Sequence, residues 1–205
     1  MTSLPLLSRL RAAALLLALA ALIAAVTLTA PAAAQALLEL DPGQTQVEFT
    51  LPATLHTVHG TFKLKRGTVR FDPATGAAAG EIVVDALSGA TGNASRDRRM
   101  HRDILESVAH PEIVFTPTSV TGQVAPEGES HVEVQGTLML HGAPHSVTLA
   151  TAVQLTGGRL TAAAEFPVPY VKWGLKNPST FLLRVSDTIT VAVHAAGRLT
   201  FAAHP

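Results

Sequence analysis

A period of two runs through most of this chain and limits what it can fold into. Val132, Val134, Leu138 and Leu140 alternate with Glu133, Gln135, Thr137 and Met139; Val147, Leu149 and Val153 alternate with Thr148 and Gln154; Ile189, Val191 and Val193 alternate with Thr190 and His194. Successive side chains on a strand point to opposite faces, so each segment has one apolar face to bury. The longest run, Leu160, Ala162, Ala164, Phe166, Val168 and Tyr170, predicts one long strand. Further strands are expected at 46–51, 61–65, 68–71 and 80–85. His141-Gly142-Ala143-Pro144 and Gly157-Gly158 supply turns between strands, which implies antiparallel hairpins.

Eight to ten strands without βαβ alternation make an all-β chain with one short helix, arranged as an antiparallel barrel or sandwich. The barrel is the preferred reading, because closure removes the sheet edges. The chain has no cysteine, so no disulfide staples the fold. An eight-stranded barrel is just wide enough to be filled by side chains or to hold one small ligand. The apolar faces place Val134, Leu138, Leu149 and Phe166 inside, and the small residues Gly136, Ala162 and Ala164 leave space along the axis.

The first 36 residues read as a secretory signal peptide. Arg9 and Arg11 form a basic start, residues 12–28 are small or apolar apart from Thr27, and Ala34-Gln35-Ala36 offers a small-x-small cleavage pattern, with the cut after Ala36. Residues 37–205 then form one domain, exported to the periplasm or secreted. Removing Arg9 and Arg11 leaves 13 basic and 15 acidic residues, which excludes a basic nucleic-acid footprint.

The period of two breaks at 93–108. Asn93 is placed as an N-cap, and Met100, Ile104 and Val108 recur at four-residue steps with Leu105 adjoining. This predicts a short helix packed on the barrel through that stripe. Arg98 and Arg102 share another face and are candidates for an anionic head group, since the guanidinium fork matches phosphate oxygens. Trp173 lies in a loop of Lys, Gly, Asn and Pro and is a candidate for the cavity rim.

Several motifs occur in a set order: Leu40-Asp41-Pro42-Gly43 with Thr45, Val47 and Phe49; His59-Gly60-Thr61-Phe62; the Arg96-Asp97 pair before the basic helix; Pro111, Ile113 and Phe115; Gly136-Thr137-Leu138 before Leu140-His141-Gly142; and Trp173-Gly174 ahead of Pro178-Ser179. Their order resembles the YceI-like family. The resemblance implies a lipocalin-like, extended antiparallel barrel that binds polyisoprenoids or other long amphiphiles in its interior, with Val47 and Phe49 among the lining residues. The partner it implies is an isoprenoid or other long-chain lipid, and a carrier of that kind is expected to meet the membrane, or a membrane redox protein, transiently.

Nine histidines raise the question of a metal. His56 and His59 are three apart in an extended segment and so face opposite ways. His141 and His145 flank a turn, but only His131 is near in sequence to join them, short of a firm zinc set. The expectation is no metal and no cofactor; the alternatives are an exported metal or haem protein using His141 and His145, or a barrel that binds nothing. Catalysis is not expected either, because there is no cysteine, no Gly-x-Ser-x-Gly elbow and no paired buried carboxylates.

Overall fold

Among the described residues, nine strands occupy eight places in one closed antiparallel sheet. The computed structural model describes residues 35–181 and 183–201. The strands are β1 (Ala36–Leu40), β2 (Gln46–Leu51), β3 (Val58–Phe71), β4 (Ala78–Ala90), β5 (Glu112–Thr121), β6 (Gly128–Leu140), β7 (Ala143–Thr156), β8 (Arg159–Val168) and β9 (Ile189–Phe201). Neighbours follow the order β1-β3-β2-β9-β8-β7-β6-β5-β4, and β3 with β4 completes the ring. The all-β, lipocalin-like barrel with one short helix expected from the sequence is the fold observed.

Two strands share one place. β2 pairs with the first half of β3 and β9, at Phe49↔Gly60 and Phe49↔Val191, while β1 pairs with their second halves, at Leu38↔Val69 and Leu38↔Leu199. A turn at 41–45 separates them, with Thr45 N donating to Asp41 O at 3.0 Å. The buried Thr45 hydroxyl donates to Ala196 O and accepts from Ala196 N, so the gap leaves neither group of Ala196 unpaired.

Bulges explain why β3 reads as two strands in the sequence. It is continuous from Val58 to Phe71, but the register shifts between Leu64 and Arg66. Buried positions are even before the shift (Val58, Gly60, Leu64) and odd after it (Gly67, Val69, Phe71). A one-residue insertion inverts the face of everything beyond it. β5 does the same at Pro117, where a residue without an N–H is tolerated at a bulge.

The helix α1 (Ala94–Arg99) starts at Asn93, whose side chain accepts from Ser95 N and Arg96 N. It continues into a π turn over Met100–Ile104, closed by Leu105 N donating to Met100 O at 2.9 Å. Glu106 then adopts φ 48° and ends the helix. The predicted stripe therefore holds only in part: Ile104 and Leu105 pack on the barrel, whereas Val108 lies past the helix end and is 91% exposed. β8 also stops earlier than expected, at Val168, and Tyr170 belongs to the following turn.

The barrel ends differ. At the end with the 72–77 and 157–158 turns, Phe71, Val132, Val153, Leu155, Leu160 and Leu199 form a filled core. The other end carries the long connections 91–111 and 169–188, with the loop 52–57 and the short turn at 141–142. The loop 52–57 is tied to 179–186 by Thr54 N donating to Arg184 O and Ser186 N donating to Pro52 O, both at 2.9 Å.

Candidate functional site

Between the two ends the barrel is hollow. On β7 the inward positions Val153 and Leu155 are buried, but Val147, Leu149 and Thr151 are only half-buried, alternating with outward-facing residues that are mostly exposed. On β8 the same holds for Ala162, Ala164 and Phe166 between buried Leu160 and Val168. An inward side chain that stays accessible borders empty space. The cavity measures about 710 Å³, within the usual range for small-molecule sites. Its wall follows β8 from Leu160 to Val168, which at ~3.3 Å per residue is about 26 Å of strand, or roughly 20 Å along the axis of a barrel tilted at ~35–45°.

The wall is hydrocarbon. Val47, Phe49, Val134, Leu138, Leu149, Ala162, Ala164 and Phe166, all singled out from the sequence, lie together on it. Phe49 packs at 5.4 Å from Phe62, their rings tilted by 39°. Phe49 crosses the missing side chain of Gly60, where a Cβ would stand 2.4 Å from the ring. Gly136, expected from the sequence to leave space, does not: the ring of Phe115 lies 2.6 Å from its would-be Cβ and fills the gap. Ala162 and Ala164 stay half-buried on the wall.

Three of the sequence candidates lie elsewhere. Trp173 is not on the cavity wall: its indole stacks on His145 with centroids 4.1 Å apart and planes 6° from parallel, inside the cluster of Leu140, Val168, Tyr170 and Leu175. His145 is thereby engaged by Trp173, while His141 packs against His110 instead, so the proposed His141/His145 pair does not form. Arg98 is absent from the wall, and Arg102 is spent on a two-pronged contact with Asp103 at 2.7 Å, which holds that carboxyl below its ordinary range.

The arginines at the mouth are Arg96 and Arg99, joined by Thr91, Asn93, Ser95 and, from the facing loop, His56. Arg96 donates to the hydroxyl (2.7 Å) and carbonyl (3.1 Å) of Thr91, and Asp97 accepts from Thr91 N at 2.9 Å. The Arg96-Asp97 pair thus fixes the turn into the helix. Arg99 makes no ion pair among the described residues. The sequence held a signal for these positions: Arg96 precedes Met100 by four, so it shares the face that the Met100 and Ile104 stripe turns to the barrel. His101 anchors the same segment, with its ring nitrogens 2.9 Å from Ser107 Oγ and Gly89 O.

These features define a lipocalin-like barrel with an apolar internal cavity and a polar, basic mouth. A model of the YceI-like domain matches residues 38–196, and the chain belongs to that family. A search of curated proteins returns no match. Among solved structures, Burkholderia cenocepacia BcnA is similar at 19% identity and TM-score 0.64, over 77% of this chain and 98% of its own. A polyisoprenoid binding domain from Saccharophagus degradans, implicated in plant cell wall breakdown, is similar at 18% and 0.58, over 80% and 98%. The Campylobacter jejuni YCEI protein is similar at 16% and 0.58, over 74% and 88%.

Tyr170 closes the wall near the mouth and donates to Ser186 O at 2.8 Å. Burial, with Asp187 nearby, pushes its phenol up to about 12 from 10.0. A raised folded value means that the neutral phenol contributes stability in full below pH ~10, and that this is lost as pH rises through about 12. Base titration of unfolding should therefore show a falling arm between those values, and Tyr170→Phe should flatten it. An arm of equal steepness in the variant would assign it to other groups.

Proposed function

We propose that this protein is an exported, non-catalytic carrier that holds a long-chain amphiphile, of the polyisoprenoid or isoprenoid-quinone-like class, inside its barrel. The observation that carries this reading is the row of inward, half-buried apolar positions around about 710 Å³ of space. Transfer of an apolar tail into it gains ~25 cal/mol per Å² of buried area. Arg96 and Arg99 at the mouth suit an anionic or strongly polar head. The similarity to a polyisoprenoid binding domain supports the same ligand class.

Filling the cavity tests this. Ala164→Phe and Ala162→Phe should fold with near-native stability, because the added ring enters empty space, whereas overpacking a filled core costs ~1–3 kcal/mol. Both should lower the prenyl lipid recovered by organic extraction and mass spectrometry by roughly tenfold or more. Full lipid loading in both variants, or a marked loss of stability in both, would sink the carrier reading.

Loading at a membrane follows from the same end of the barrel. Leu55, Val108 and Phe181 are 77%, 91% and 95% exposed there, each on a different connection. Segments 52–57, 91–111, 141–142 and 169–188 carry seven Lys/Arg against four Asp/Glu, while the rest of 35–205 carries six against eleven. This polarity favours an anionic bilayer facing the mouth. Leu55→Ser with Phe181→Ser should reduce co-sedimentation with phosphatidylglycerol vesicles, and added salt should reduce it further. Wild-type protein that ignores such vesicles at low salt would refute membrane loading while leaving lipid binding intact.

For export, residues 1–34 lie outside the described residues, and the leader remains a proposal. Ala36 is fully buried and opens β1, opposite Phe71 and Phe201. A cut after Ala36 would delete a core residue, whereas a cut after Ala34, with Ala32 two positions before it, also fits the small-x-small rule. We therefore expect an intact mass for the envelope-soluble protein that begins at Gln35. A chain that retains residues 1–34 in the membrane fraction would overturn export.

A further inference from the structure

We propose that Glu106, His110 and His141 form a zinc site at the mouth end of the barrel. The three side chains each offer one ligand atom, and those atoms lie within 4.8 Å of one another. His141 Nε2 stands 3.5 Å from Glu106 Oε2, close to the ~3.4 Å that separates neighbouring ligands in a tetrahedron with bonds of ~2.0–2.2 Å. The rings of His110 and His141 sit 4.5 Å apart at 54°, which lets a nitrogen of each turn toward one point.

Three independent features set this cluster apart from a chance meeting of surface side chains. His141 Nε2 is buried and has no hydrogen-bond partner, and a buried polar atom left unpaired calls for an explanation such as an ion. Glu106 (φ 48°) and His141 (φ 52°) are the only non-glycine residues with positive φ among the described residues; such conformations concentrate at ligand sites. Next to them, Gly142 at φ 76° leaves room for the ring of His110, which a Cβ would meet at 2.9 Å. Lys176 is the competing cation, 3.5 Å from the other Glu106 oxygen, but its side chain is 71% exposed and free to withdraw.

Two imidazoles and one carboxylate are a zinc donor set that keeps one position for water. Its ligands join the connection after α1 to the β6–β7 turn, two segments 31 or more residues apart in sequence. A bound ion would fasten the helical segment that carries Arg96 and Arg99 to the barrel rim. The site stands whether or not the cavity takes a lipid, and its ligands are not residues of the cavity wall.

The test is zinc titration of the purified full chain after chelator stripping, followed by isothermal calorimetry, with cobalt as a spectroscopic substitute. Wild-type protein should bind one equivalent of zinc, gain thermal stability with it, and give the visible absorption of four-coordinate cobalt. His110→Ala and Glu106→Gln should each weaken binding by roughly tenfold or more and lose the zinc-dependent rise in melting temperature, while far-UV circular dichroism reports whether they fold. His59→Ala, outside the three-residue cluster, should bind as wild type does. Absence of stoichiometric zinc binding in the wild type overturns the site, as does equal loss in His59→Ala or unchanged affinity in a folded His110→Ala or Glu106→Gln.

Discussion

Closure of the sheet is the constraint on which everything else rests. With no cysteine to staple the chain, the backbone ladders must account for nearly all buried N–H and C=O groups, and a ring is the arrangement that leaves no edge. Here the ring closes only because β1 and β2 together fill one strand position between β3 and β9. Neither is long enough alone. The turn between them is held by Asp41 and Thr45, and the bulges in β3 and β5 let apolar faces stay inward while the strands curve.

A closed ladder also explains how a hollow can persist. Side chains inside a bundle of helices can collapse toward a void, but strands fixed at ~4.8 Å spacing by hydrogen bonds cannot move inward together. The void therefore survives wherever inward residues are too short to meet. Phenylalanine rings occupy the gaps at Gly60 and Gly136, and large residues fill the end near the 157–158 turn. Ala162 borders that packed end and Ala164 lies beyond it, both half-buried on the cavity wall. Position within the ring, not alanine content, decides where the space lies.

The antiparallel order gathers both of the longest connections, 91–111 and 169–188, at one end. The helix, the 52–57 loop, the 169–188 loop and the 141–142 turn all meet there, and with them the mouth arginines, the exposed apolar residues, the surplus of positive charge and the Glu106, His110 and His141 cluster. The opposite end is short turns over a packed core. Strands supply a rigid wall, and the loops that are free to vary supply the chemistry.

Much of this was legible in the sequence. Alternation over 132–140, 147–154, 160–168 and 189–193 marked strands and their inward faces, because the period of two is a local property of extended backbone. Val134, Leu138, Leu149, Ala162, Ala164 and Phe166 meet on the cavity wall for that reason, and Val47 and Phe49, which the family resemblance had implied, join them. The misses share a cause. Val108 fell off the helical stripe because a π turn and a positive φ at Glu106 ended the helix, and β3 read as two strands because a bulge inverted its faces. Trp173 left the rim to stack on His145, 28 residues away in sequence but one barrel end in space. Arg96 and Arg99 replaced Arg98 and Arg102 because only the docking of the helix chose which face looks into the mouth. The sequence by itself determined an antiparallel all-β fold, barrel or sandwich, and the apolar character of its inner face, through local periodicity and turn residues. Tertiary structure alone decided that the inside is empty and which side chains of distant loops meet at its mouth, because both depend on how far apart the closed ladder holds segments that the chain's order does not relate.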